Sequence, residues 1–211
     1  MAEPRQDRRE LACRAHGVGP ERSFSSWEPL LEKPRMADAA LICTLDGLHT
    51  APALAALEKG YHVLLEKPMS NSEAECRAIA AAAERGGRVL CVCHVLRYTP
   101  FYATLKRLVD EGAVDEVAAL AQIENVGYWH HAHSFVRGNW RSGAVSPMIL
   151  QKSCHDMDIL LWLGGGAVSG WRALAACGTS TRPTPPRARP PAAWTAARPA
   201  AAVLITRRAS I

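Results

Sequence analysis

No run of about eighteen apolar residues interrupts this 211-residue chain, so a membrane-spanning helix is not expected. The start, Met1 to Glu10, is charged and holds no apolar stretch of the signal-peptide kind, which points to a cytoplasmic protein. No Cys-x-x-Cys pair occurs among the seven cysteines, Cys13, Cys43, Cys76, Cys91, Cys93, Cys154 and Cys177. An odd count without paired spacing argues against a disulfide framework and against a zinc cluster. Free thiols in a reducing compartment are expected instead. Acidic residues stop at Asp158, and beyond it lie seven arginines and no lysine. Of the 25 Lys and Arg, 18 therefore precede Ile159, against all 20 acidic residues, so the body is slightly acidic and the formal +5 belongs to the tail. That removes the basis for nucleic-acid binding by the body. The tail itself has no aromatics beyond Trp171 and Trp194 to interleave with its arginines.

What remains reads as alternating helix and strand. Pro4 opens a helix that Gly17 ends. Ser25 and Glu28 have the spacing of a capping box, so a short helix through Leu30 and Leu31 is predicted, ended by Pro34. Residues 39–44 (AALICT), 61–65 (YHVLL) and 88–93 (RVLCVC) are apolar runs of strand length. Helices are predicted between them, over 49–59 and from a capping box at Ser70 and Glu73 to Arg85. Continuous apolar strands fit a parallel sheet covered on both faces. Their alternation with helices gives βαβ units, hence a doubly wound α/β sheet. Further on, a helix is predicted over 99–111, a long strand over 116–128, a loop rich in His, Trp and Asn over 128–141, and a helix over 147–163. From about Gly164 the pattern is lost. The stretch 182–202 is nearly all Pro, Ala and Arg, a composition from which no core can be built. A natural disordered tail and a slipped reading frame in GC-rich DNA both give it. The abrupt change beside a motif-bearing helix favours the slip.

Several residues invite chemistry. Glu66-Lys67-Pro68 follows the strand 61–65, and the carboxyl end of a parallel strand is where ligands bind. A lysine there can polarise a reacting hydroxyl, although a surface Glu-Lys pair before a turn proline has the same spelling. His155 shares a helix face with Gln151, Lys152 and Asp158. An imidazole one turn from a carboxylate is a candidate general base. The competing reading is a salt-bridged face with Lys152 on Asp156. His130, His131 and His133 have no carboxylate at a helpful spacing, so a polar loop is expected there and no metal. His94, beside Arg97 and Tyr98, follows a strand end and is placed to line the same cleft as Lys67.

Thr44–His49 (TLDGLH), His62–Pro68 (HVLLEKP), Arg97-Tyr98, Trp140-Arg141 and the helix with His155 and Asp158 occur in the order and spacing of the Gfo/Idh/MocA oxidoreductases. The chain resembles that family over residues 2–163. The resemblance implies an NAD(P)-binding Rossmann domain, here incomplete, over 1–96. It implies the start of an α/β open-sheet substrate domain over 97–163, with 164–211 as a disordered or frame-shifted tail. It implies NAD or NADP as cofactor, a sugar or polyol as substrate and a homo-oligomeric parent protein. Lys67 and His155 take the catalytic roles, with hydride leaving a CH–OH carbon as His155 takes the hydroxyl proton. Thr44, Leu45, His49, Glu66, Lys67, Pro68, Arg97, Trp140 and Arg141 lie at the cofactor. Glu3 takes the adenosine ribose and leans to NAD, with Arg5 nearby for a 2′-phosphate. Lys67, Gln151, Lys152 and His155 meet the substrate. A glycosidase that uses NAD transiently is an alternative in the same family, and a non-catalytic fragment is another.

Three departures stand out. No Gly-x-Gly-x-x-Gly occurs near the start, and Met1 falls inside what the resemblance makes the second strand, so the first strand and its phosphate-binding turn are expected to be missing. Gln151 stands where many members have Asp. The tail takes the place of most of the second sheet. A marginally stable, aggregation-prone chain is expected from this.

Overall fold

The computed structural model describes residues 1–142, 145–165 and the strand 202–206. Among them are helices α1 (Gln6–His16), α2 (Trp27–Glu32), α3 (Thr50–Glu58), α4 (Glu73–Gly86), α5 (Pro100–Asp110), α6 (Tyr128–His131) and α7 (Met148–Gly164). The strands are β1 (Ala39–Cys43), β2 (His62–Leu65), β3 (Leu90–Val92) and β4 (Ala202–Thr206). They form one sheet in the order β3-β2-β1-β4. β1, β2 and β3 run parallel, with Ile42 opposite Leu65 and Leu65 opposite Val92. β4 runs antiparallel to β1. The expected α/β fold with a parallel sheet is therefore present.

Burial alternates along the strands. Ala40, Ile42, Val63 and Leu65 are enclosed, while Ala39, Leu41, His62 and Leu64 are half-covered. The enclosed face packs with Ala53, Ala56 and Leu57 of α3, Ile79 and Ala83 of α4, and Leu30 of α2. Each Val, Leu or Ile side chain among them contributes on the order of 1.5–3 kcal/mol by leaving water, and each alanine methyl less. Thus the sheet has one well-covered face, where the apolar runs predicted two. On the second face Leu41 and Leu64 are only half-covered, and a run of apolar letters does not distinguish one covered face from two. Tyr61, just before β2, is fully buried, and its hydroxyl accepts the Met36 N–H at 3.0 Å.

The capping residues sit one or two places from where they were predicted. α2 takes Ser26 as N-cap without a side-chain bond, so the Ser25–Glu28 box is not used. α4 takes Ser72, whose hydroxyl accepts the Glu75 N–H, while Ser70 donates its hydroxyl to the Glu75 carboxylate. The sequence SNSEAE spells the box twice, and the later copy caps the helix. Gly87 closes α4 at φ 57°, a left-handed conformation that a β-carbon disfavours.

Two expectations are corrected. Residues 116–127 form no strand, and Ile123 is 76% exposed. A strand needs a neighbour for its main-chain groups, and this segment pairs with none among the described residues. The stretch 128–141, predicted as a loop, contains α6 and a π-helical turn, Ala132–Val136. Of the segment read as tail, Ala202–Thr206 is ordered as β4, and most of the rest lies outside the described residues.

Candidate active site

The parallel strands end side by side, and the chemistry collects on the loops that leave them. After β1 come Thr44, Leu45 and a short 3₁₀ turn, Asp46–Leu48. After β2 come Glu66, Lys67 and Pro68, with a cis Lys67–Pro68 peptide. After β3 come Cys93 and His94, then a 3₁₀ turn, Val95–Tyr98, that carries Arg97. α7 lies over these loops and brings Gln151, His155 and Asp158 to them.

His49 joins the first two loops. It is fully buried, with Nδ1 at 2.9 Å from the Pro68 carbonyl and Nε2 at 3.0 Å from the Thr44 carbonyl. Both ring nitrogens face main-chain carbonyls, one of which takes the ring N–H, so His49 reaches a ligand only through the loops it fixes. Glu66 accepts the Lys67 N–H at 3.2 Å.

Lys67 Nζ donates to the main-chain carbonyl of Gln151 at 3.1 Å and to its side-chain Oε1 at 3.0 Å. The other end of that carboxamide, Nε2, donates to Asp46 Oδ2. The same carboxylate oxygen accepts the Trp140 indole N–H at 3.1 Å. Asp46 and Gln151 are both buried, at 5% exposure each, so this chain of bonds runs in a low-dielectric setting.

His155 and His94 face each other edge to face, ring centroids 5.9 Å apart. Burial lowers both imidazoles below the ordinary 6.5, with the Lys67 cation adding to the effect in each. For His94 the Asp158 carboxylate opposes that shift. Both rings are thus held neutral near pH 7, the form that accepts a proton. The Nδ1 atoms of His94 and His155 and the hydroxyl of Thr44 are buried with no hydrogen-bond partner among the described residues. Asp158, expected beside His155, is instead taken by Arg97 through two bonds, at 2.7 and 2.5 Å. His94 Nε2 lies 4.0 Å from the same carboxylate. Arg97 also covers the Trp162 ring at 5.3 Å. The Cys93 thiol is pushed up to about 11, mainly by burial, so it offers no thiolate nucleophile.

The remaining predicted residues make their contacts elsewhere, although the Lys152 cation helps to lower His155. The Glu3 carboxylate is buried and accepts the Arg5 N–H at 2.8 Å, bracing the turn into α1. Arg141 is exposed. Lys152 Nζ lies 3.3 Å from His130 Nε2, and Asp156 accepts from Gln122 at 3.2 Å, so the Lys152–Asp156 pair considered from sequence is not formed. Sequence reasoning missed Asp46, although it stood inside the Thr44–His49 motif. It weighed His94 without assigning it a role. Among the described residues, no group of three or more His, Cys, Asp or Glu is placed to hold a metal, and no helix is long and apolar enough to cross a membrane.

Three parallel strands alternating with helices make an α/β sheet of Rossmann type, with a lysine and paired histidines at the strand ends. Residues 1–94 match the family model described as the oxidoreductase family GFO_IDH_MocA, NAD-binding Rossmann fold, so through that stretch the chain is similar to the Gfo/Idh/MocA oxidoreductases. It is 32% identical over 130 residues to inositol 2-dehydrogenase 2 of Saccharopolyspora erythraea, covering 61% of this chain and 35% of that protein. It is 30% identical over 148 residues to 1,5-anhydro-D-fructose reductase of Ensifer adhaerens, covering 69% of this chain and 42% of that protein. An NAD-binding oxidoreductase from Klebsiella pneumoniae has the same fold, with a TM-score of 0.65 at 24% identity over 78% of this chain and 43% of that one. The chain thus spans about two fifths of the length of these relatives.

Proposed function

We propose that the whole protein is an NAD(P)-dependent oxidoreductase of a sugar or polyol CH–OH group, with Lys67 and His155 at its catalytic centre. The observation that carries this reading is the pairing of the Lys67 ammonium, held on Gln151, with a neutral, half-buried His155 at the carboxyl edge of the sheet. The names of the similar relatives, an inositol dehydrogenase and an anhydrofructose reductase, support the substrate class.

The nicotinamide cofactor, when bound, accepts the hydride. The residues fit its reactive end. Thr44, with its unpartnered buried hydroxyl, and Leu45, Glu66, Lys67 and Pro68 line the strand ends where a dinucleotide lies. His49 serves by fixing Thr44 and Pro68. Arg97, Trp140 and Arg141 belong to the same proposed set, Arg97 through Asp158 and Trp140 through Asp46. Glu3 is proposed for the ribose. A glycine-rich phosphate turn does not occur among the described residues.

Lys67 donates a hydrogen bond to the substrate hydroxyl oxygen and steadies negative charge as the O–H proton leaves. The imidazole of His155 accepts that proton, which burial makes possible near neutral pH. Gln151 and Lys152 orient neighbouring hydroxyls. The domain division 1–96, 97–163 and 164–211, a homo-oligomeric whole protein and a cytoplasmic location belong to the same reading. All six described cysteines are free thiols, in keeping with that location.

The test is nicotinamide binding followed by turnover. Thermal stabilisation by NAD(H) or NADP(H), then net accumulation of reduced cofactor with an inositol or another polyol, is the expected result. Sugar release from a glycoside without net reduction makes the protein a glycosidase. Neither binding nor turnover in the whole protein ends the enzymatic reading.

A further inference from the structure

We propose that Asp46 is a positioning residue that sets the orientation of the Gln151 carboxamide and, through it, holds the Lys67 ammonium. The argument starts from what each group can do in a hydrogen bond. An ionised carboxylate only accepts and an ammonium only donates. A primary carboxamide between them has one satisfied orientation, its NH₂ toward the carboxylate and its oxygen toward the ammonium. Gln151 adopts that orientation, with Nε2 on Asp46 Oδ2 and Oε1 on Lys67 Nζ. Turned over, it sets NH₂ against ammonium and oxygen against carboxylate, losing both bonds in a buried site.

Asp46 is suited to this task because it is itself fixed. It is 5% exposed, and the Trp140 indole donates to the same Oδ2 at 3.1 Å. One carboxylate oxygen therefore ties three pieces of chain together: the turn after β1, helix α7, and the stretch that carries Trp140. Gln151 brings no charge to the site, and Asp46 supplies a negative group one carboxamide away. In the proposed reaction this matters because Lys67 must point a proton at the substrate oxygen. That consequence rests on the oxidoreductase reading, whereas the orienting bond itself does not.

The experiment needs no turnover. The five lysines are labelled with limiting formaldehyde and borohydride, and their rates are compared by peptide mass spectrometry, with Lys33 and Lys106 as internal references. Asp46→Ala and Gln151→Leu should each label Lys67 about tenfold faster than the parent, the scale of one charge-assisted hydrogen bond. The double variant should label no faster than either single one, since Asp46 acts through Gln151. Asp46→Asn, whose amide oxygen still accepts from Gln151 and Trp140, should return most of the protection. Unchanged Lys67 labelling in Asp46→Ala, or additive effects in the double variant, overturns the proposal, and so does an Asp46→Asn protein that behaves like Asp46→Ala. Should Asp46→Ala fail to fold, the parent answers alone. The Gln151 side-chain amide protons should exchange with solvent at least about tenfold more slowly than those of exposed Gln6, and equal exchange overturns the assignment. A lack of nicotinamide binding leaves these readouts intact, so the two ideas fail separately.

Discussion

Arg97 holds Asp158 with two hydrogen bonds, Nε to Oδ2 at 2.7 Å and Nη2 to Oδ1 at 2.5 Å. The guanidinium comes from the turn after β3 and the carboxylate from α7, so the pair docks the helix on the sheet. Asp158 is mostly enclosed, with 11% of its side chain exposed, and the Arg97 end is open at 36%. Solvent at the arginine screens part of the attraction. Arg97→Leu should therefore cost about 1–3 kcal/mol, less than a fully buried pair. Urea unfolding is the measurement. Arg97→Lys should recover only part of the loss, since an ammonium cannot make the two-pronged contact.

The two histidines predict a pH response. Burial lowers both below 6.5 in the folded chain. As pH falls below that value, the unfolded chain binds protons that the folded chain refuses, and stability falls. Their contribution is intact above 6.5 and is lost as pH drops through the lowered folded values. Melting temperature followed from pH 8 to about pH 5 should decline in the parent and decline less in His94→Gln with His155→Gln. Equal slopes in the two proteins assign the decline to other groups.

His49→Ala should be strongly destabilising, by about 2–4 kcal/mol, because the main-chain carbonyl that accepts its ring N–H loses its donor and a buried ring is removed from between the two loops. Chemical denaturation reads the loss. His49→Asn should restore little, since a shorter side chain cannot span both carbonyls. A neutral outcome for His49→Ala removes it as the tie between these loops.

Tyr61→Phe keeps the packing and removes one hydroxyl. The Met36 N–H then has no acceptor, at a cost of about 1–2 kcal/mol. The midpoint of denaturation should shift without a change in slope.

For the whole protein, Lys67→Met and His155→Ala should each lower kcat by about two to four orders of magnitude, the usual share of a positioned proton-transfer group. Nicotinamide binding should survive in His155→Ala. Full turnover in either variant places the proton transfer elsewhere, and His94 then becomes the first residue to test.

The parallel sheet was legible because each strand is a short apolar run and each helix between them has a recognisable start and stop. Boundaries were less so, since SNSEAE offers two capping serines and only packing selects Ser72. Lys67 and Gln151 were legible as members of motifs, 84 residues apart, but their bond was not. Asp46 shows the limit most clearly. Its partners lie 94 and 105 residues further on, and no local pattern announces a carboxylate that acts at such separation. The segment 116–127 failed in the opposite way. Its local pattern suits a strand, but strand character is completed by a neighbour.

The antiparallel seat of β4 on β1 bears on how copies of this chain meet. Cys43 through Ala39 lie opposite Ala202 through Thr206. Of those five residues of β1, Ala39 to Ile42 use their other edge for β2. Main-chain groups that are already paired offer no template to a second molecule. The border of the sheet at β1 is thus kept by a segment from the far end of the same chain.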